Sequence, residues 1–246
     1  MPSDVFQIAV FETIFLSLLV IISVLLASNR VRLNWIVAVP LVAFFTKIIL
    51  FYGAYGKFGD WIGGNYNWEG KTVSTIFTLV LILLFFRRNL KQVGLNLSQS
   101  GLAPRLGITI AVFTVIATIA WNLFYFPGIK SEPISDILYQ AIMPSIEEEL
   151  WFRGLIYAML LKGLTTNDSK HPILYYVIIS AVVVSIHFWA VHSITTDGNW
   201  GFIFRAWHNP VAGIYGVLWM AVRLCTGSII IPILLHTLAN IAGYFV

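Results

Sequence analysis

Glu147, Glu148 and Glu149 stand together in this chain, followed by Leu150-Trp151-Phe152 and then Arg153-Gly154. An ionisable side chain at the centre of a membrane helix costs about 3 kcal/mol or more, so such a cluster in an apolar setting marks a functional site. On a helix, Glu149 and Arg153 share a face and can pair, while Glu148 points elsewhere, about 100° round the axis. One carboxylate is then held by arginine and its neighbour is free to take a proton. Downstream, His236 and Asn240 are four residues apart and face the same way. Histidine can accept a proton, donate to an oxyanion or bind a metal, and the asparagine amide can donate. His187 and His192 lie between these two groups. Together the set could activate water for hydrolysis. Each part also has a plainer reading: a charge-paired helix end for the acidic run, and interhelical hydrogen bonding for His236 and Asn240.

The elements that must carry these residues are membrane helices. Of 246 residues, 59% are hydrophobic and 11% charged, against about 25% charged in soluble domains. This composition predicts an all-α polytopic membrane protein, with about eight transmembrane helices in one bundle and a single domain over residues 1–246. A spanning helix needs roughly 20 mostly apolar residues. The candidate stretches are Phe6 to Ser28, Leu33 to Tyr55, Thr72 to Phe86, Leu106 to Phe126, Ser135 to Leu164, Pro172 to His192, Pro210 to Cys225, and Ile229 to Val246. The first follows Met1-Pro2-Ser3-Asp4, which lacks a positive region, so it reads as a retained helix rather than a cleaved signal peptide. The net charge of +4 comes with no basic patch, which excludes nucleic acid as a partner. The single cysteine, Cys225, excludes an intrachain disulfide and a thiolate metal cluster.

The connections differ in character. Lys57 to Lys71 is rich in Gly, Trp and Asn and suits an interfacial lid around Trp61 and Trp68. Arg87 to Gln99 is basic with interspersed Leu90, Val93, Leu95 and Leu97, which predicts a short helix lying on the membrane surface. Arg30 and Arg32, Arg87 to Arg105, Lys162 and Lys170, and Arg223 all fall on one side of an eight-helix arrangement. Positive charge makes that side cytoplasmic and puts both termini outside. Sixteen residues separate Glu148 from Leu164, about 24 Å at helical rise, and sixteen residues beyond His171 reach His187. His187 is thus level with Glu148, and His192 lies a turn nearer the outer surface. The site is expected in the outer half of the bilayer.

At these residues the chain resembles the CPBP intramembrane proteases, a family that includes CAAX prenyl endopeptidases and bacterial Abi and bacteriocin-immunity proteins. The family motif EExxxR followed by glycine is Glu148-Glu149-Leu150-Trp151-Phe152-Arg153-Gly154 here. The motif HxxxN, preceded by Thr-Gly-Ser and proline, is read at Thr226-Gly227-Ser228, Pro232, His236 and Asn240. The match covers about Met143 to Tyr244 and frames a catalytic core of residues 143–244 on helices five to eight. The first four helices match only in hydropathy. The middle motif, FxxxH, fits Phe188 to His192 in letters, with Trp189 bulky where the family has a small residue. His187 has Val183 in place of the phenylalanine, but its spacing from Pro172 and Ser180 is like the family's. His187 is favoured, with His192 as the alternative.

The resemblance implies hydrolysis of a peptide bond in a membrane-associated protein or peptide, with the lipid bilayer as the other partner. Glu148 and the helix-six histidine would take a proton from water. His236 and Asn240 would stabilise the oxyanion, and Glu149 and Arg153 would fix the helix and tune Glu148. A second version holds Zn²⁺ on His187, His236 and Glu148 and activates the water there. The family resemblance also implies a bacterial plasma membrane. Two other classes compete: a proton-coupled transporter, in which Glu12 and Lys47 could join a relay, and a non-catalytic adaptor or immunity protein on the same fold. Substrate identity and oligomeric state are not legible in the residues.

Overall fold

The computed structural model describes residues 3–27, 30–59, 66–125, 133–207 and 209–245. Among them the helices are α1 (Ser3–Ala27), α2 (Leu33–Ala54), α3 (Trp68–Phe86), α4 (Pro104–Tyr125), α5 (Ile134–Glu148), α6 (Tyr157–Leu164), α7 (Ile173–Val191), α8 (Pro210–Thr226) and α9 (Ile230–Ile241). A π-helical segment, Glu149–Ile156, joins α5 to α6, so these three form one unbroken rod. The protein is therefore an all-α polytopic membrane protein. Helices α1, α2, α3, α4 and α7 are long and apolar enough to cross a membrane, and α8 and α9 are shorter apolar helices. The outer helices present Leu18, Ile21, Leu25, Phe113 and Ile116 outwards, where a soluble protein would present charge.

The rod of α5, the π segment and α6 is the centre of the bundle. Leu155, Ile156, Met159, Leu160 and Leu164 are fully buried, with α2, α3, α7 and α9 packed around the rod. Pro144 lies inside α5 rather than at its start. Proline has no N–H, so the carbonyl four residues earlier, on Gln140, loses its helical partner. The Asn240 Nδ2 amide of α9 donates to that carbonyl at 3.2 Å, and Thr237 donates to the next one, Ala141, at 2.8 Å. Neighbouring helices thus satisfy the freed backbone, as burial in a membrane requires.

Two connections depart from the sequence-based expectation, and a third forms a hairpin. Helix α3 begins at Trp68, not Thr72, because Asn67 caps it by accepting from the Gly70 N–H at 2.9 Å. Trp68 is consequently a buried helix residue packed edge-on against Tyr139, while the lid expected around Trp61 lies outside the described residues. Leu90–Val93 is a single 3₁₀ turn rather than a surface helix. Val93 is fully buried, and the Gly94 carbonyl accepts from Ile229 N–H, so apolar burial draws this segment into the bundle. Ser193 to Asn209 contains an antiparallel hairpin, β1 (Ile194–Thr196) and β2 (Phe202–Phe204), paired as Ile194 with Phe204 and Thr196 with Phe202. Gln7 of α1 locks the hairpin by donating to Gly198 O and accepting from Thr196 Oγ1 and Trp200 N.

The basic connections meet at the other end. Arg32 N–H donates to Gly163 O at 2.9 Å, Arg223 Nη2 to Gln92 O at 3.0 Å, and Gly101 N–H to Thr226 O at 3.0 Å.

Candidate active site

The last residue of α5 and the first of the π segment face opposite partners. Glu149 and Arg153 are both fully buried, and Arg153 Nη1 donates to Glu149 Oε1 at 2.9 Å. The guanidinium lies over the Phe188 ring at 4.0 Å and beside Trp219 at 5.4 Å, a desolvated setting in which cation–π attraction is strongest. His236 Nδ1 is 3.0 Å from the same Glu149 oxygen, and its ring stacks on Trp219 at 4.4 Å. Glu149 therefore ties α9 to the central rod.

Glu148 faces the other way. Its Oε1 accepts from Lys71 Nζ at 2.7 Å. Its Oε2 is buried and takes no hydrogen bond among the described residues, with His192 Nε2 at 3.8 Å and His236 Nε2 at 4.0 Å. The tautomers follow from the partners on the far side of each ring. His192 Nδ1 lies 2.7 Å from the Phe188 carbonyl and His236 Nδ1 beside an arginine-paired carboxylate. Both partners only accept, so each Nδ1 carries the hydrogen and each neutral Nε2 is a lone pair. Three acceptors therefore converge with no donor among them. A single water, with two O–H groups, spans separations of this size.

The structure brings Glu148, Glu149, Arg153, His192 and His236 together. His187 is one turn deeper on α7, buried, with its ring 5.4 Å from Phe152. It lines the same cavity of about 110 Å³ as Glu148 and His192, along with Glu12, Thr46, Lys47 and Lys71, but stands beyond ion-pair reach of Glu148. Asn240 bonds to α5 rather than to the carboxylates. The equal-depth argument for His187 compared heights along two helices and not the direction each ring faces; the path it measured also contains a π-helical segment, Glu149–Ile156. Such segments are frequent at functional sites.

Sequence reasoning missed Lys71 and Glu147. Lys71 Nζ bridges Glu147 Oε2 and Glu148 Oε1, both at 2.7 Å, and Ser74 Oγ donates to Glu147 Oε1 at 2.7 Å. The signal was available: Asn67 followed by Glu69 is a helix-start pattern, and starting α3 there puts Lys71 inside a helix instead of in a loop.

The zinc set suggested by sequence, His187, His236 and Glu148, does not assemble. Among the described residues no group of three or more His, Cys, Asp or Glu side chains is arranged to hold a metal ion, and the Lys71 ammonium already occupies one oxygen of Glu148.

The site is thus a small polar cavity walled by carboxylates, histidines and lysines inside a bundle of apolar helices. Residues 130–242 match the family model described as type II CAAX prenyl endopeptidase Rce1-like. The match takes in both glutamates of the motif, Arg153, both α7 histidines, His236 and Asn240, and leaves out Glu12, Lys47 and Lys71. No curated protein and no solved structure matches the chain.

Proposed function

We propose that the protein is an intramembrane endopeptidase that hydrolyses a peptide bond of a membrane-associated protein or peptide with a water activated by Glu148 and His192. The observation that carries this reading is the free, buried Oε2 of Glu148 facing two imidazole lone pairs at 3.8 and 4.0 Å. A water donating one O–H to Glu148 and the other to His192 is fixed with its own lone pair outward. As its oxygen attacks the carbonyl carbon, its proton passes to this pair of bases. The carbon–nitrogen bond then breaks and the same proton goes to the leaving nitrogen, giving a carboxylic acid, which keeps the water's second hydrogen, and an amine.

The tetrahedral intermediate needs a donor for its oxyanion. His236 Nε2, 4.0 Å from Glu148 Oε2, can take over the proton released by the water and donate it to the oxyanion before it goes to the leaving amine. Glu149 and Arg153 support His236 from behind. The Asn240 amide is already given to Gln140, so its contribution is to seat α9.

The test is cleavage of a membrane-peptide library, with prenylated and unprenylated members, by purified wild type and Glu148→Gln. Cleavage by the wild type that falls at least 10²-fold in the variant is the expected result. Equal turnover by the two proteins would remove Glu148 from the chemistry, and no turnover by a folded wild type would favour an adaptor role. Parallel reactions with a strong chelator should proceed at an unchanged rate. Loss of cleavage that zinc restores would replace this mechanism with a metal-dependent one.

A further inference from the structure

We infer that Lys71 is a positioning residue for hydrolysis: its ammonium clamps Oε1 of Glu148, which turns Oε2 towards His192 and His236. The inference rests on the reading of Glu148 as a base. It assigns a role to a residue on α3, outside the segment that matches the protease family.

The geometry is specific. Lys71 is 9% exposed, and its Nζ stands 2.7 Å from one oxygen of Glu147 and 2.7 Å from one oxygen of Glu148. An ammonium has donors only, so both contacts are charge-assisted bonds to carboxylates. Glu147 is fixed in turn by Ser74, one helical turn along α3 from Lys71. The ammonium is therefore held from one side and holds Glu148 on the other. Without it, two adjacent carboxylates at the end of α5 would repel each other in a medium of low dielectric. The Glu148 carboxylate would also be free to rotate about its last torsion, which is broad for glutamate. A lysine between two carboxylates cannot itself accept a proton, so its part is to aim rather than to react.

Helix α3 delivers Lys71 with little slack. A Cβ on Gly53 of α2 would lie 2.1 Å from the Gly70 Cα, so the two backbones touch one residue before Lys71. Asn67 Nδ2 donates across the same crossing to Leu50 O at 2.7 Å.

Lys71→Met keeps the length of the side chain and removes its charge. With a peptide that the wild type cleaves, this variant should lower kcat by about two orders of magnitude and leave KM within about threefold, the signature of a loss confined to the transition state. Lys71→Ala should regain part of its rate with propylammonium and not with propanol, which a packing role would not distinguish. Wild-type kcat in Lys71→Met, or equal rescue by propanol, would overturn the inference. If Lys71→Met does not fold, Lys71→Met with Glu147→Gln removes the uncompensated partner and leaves Glu148 unheld. A folded, slow double variant supports the clamp, and a folded, fast one overturns it. Glu148→Gln is run alongside: if it retains activity, the base reading has failed, whereas an inactive Glu148→Gln beside an active Lys71→Met sinks the clamp alone.

Discussion

When the Nδ1 of a histidine is committed to an acceptor, only Nε2 is left for chemistry, and this applies to both His192 and His236. The Phe188 carbonyl fixes one ring and Glu149 the other, so the two Nε2 atoms and Glu148 Oε2 define a place for a proton-bearing guest. His187 shares the cavity wall but not this convergence. His192→Ala should therefore lower kcat by about 10²-fold or more. His187→Leu should cost less than about tenfold, since His187 lines the cavity without reaching Glu148. The comparison of kcat for the two variants on one peptide checks this, and the reverse order would return the role to His187. The Glu149–Arg153 pair and the divergence of Glu148 were legible from spacing alone, because four residues make a turn in either an α- or a slightly wider helix. The choice between two histidines five residues apart was not, because it depends on which ring faces Glu148, and that is set by how α7 packs against the rod rather than by spacing along one helix.

Among the elements, α5 and α9 are joined through a defect and its repair. Pro144 strips the Gln140 carbonyl of its backbone partner, and Asn240 supplies a replacement. The second motif of the chain is thereby explained in part: His236 needs α9 at a fixed height, and Asn240, one turn on, sets it. Asn240→Ala should destabilise the protein by about 1–2 kcal/mol, the cost of leaving a buried acceptor unpaired. In a Pro144→Ala background the restored N–H of residue 144 can satisfy Gln140, so the same change should cost clearly less. Denaturant unfolding in detergent for the four proteins of this cycle measures the coupling; an equal cost in both backgrounds would mean that Asn240 acts independently of the proline. Helix order was readable from hydropathy, because lipid imposes a run of apolar residues on every span. Helix starts were less so: the polar cap Asn67 and the buried Glu69 and Lys71 looked like loop because they interrupt that run.

For the whole molecule, the two ends differ in chemistry. Arg32, Arg223 and the Gly94 turn gather at one end, and the hairpin with Gln7 closes the other. The distribution of positive charge predicts that the basic end faces the cytoplasm. In a Cys225→Ser background, Asn199→Cys in the hairpin should react with an impermeant maleimide on intact cells, and Asn167→Cys, between α6 and α7, only after permeabilisation. Both positions are exposed, and labelling in the opposite order would invert the molecule in the membrane. The grouping of basic loops on one side was visible in the sequence because it needs only a count of spans. The cavity was not, since its walls come from helices that approach one another only in three dimensions.

The walls of that cavity bear on how far the family-matched segment can be separated from the rest. Glu12, Thr46, Lys47 and Lys71 line the cavity together with Glu148, and all four precede residue 130, where the recognisable segment begins. The signature is therefore narrower than the machine. Transplanted into another scaffold, residues 130–242 would carry both motifs intact and still lack the cation that steadies the glutamate and half of the chamber in which water is held. The poorly recognisable half of the chain supplies as much of the cavity wall as the half that matches a family.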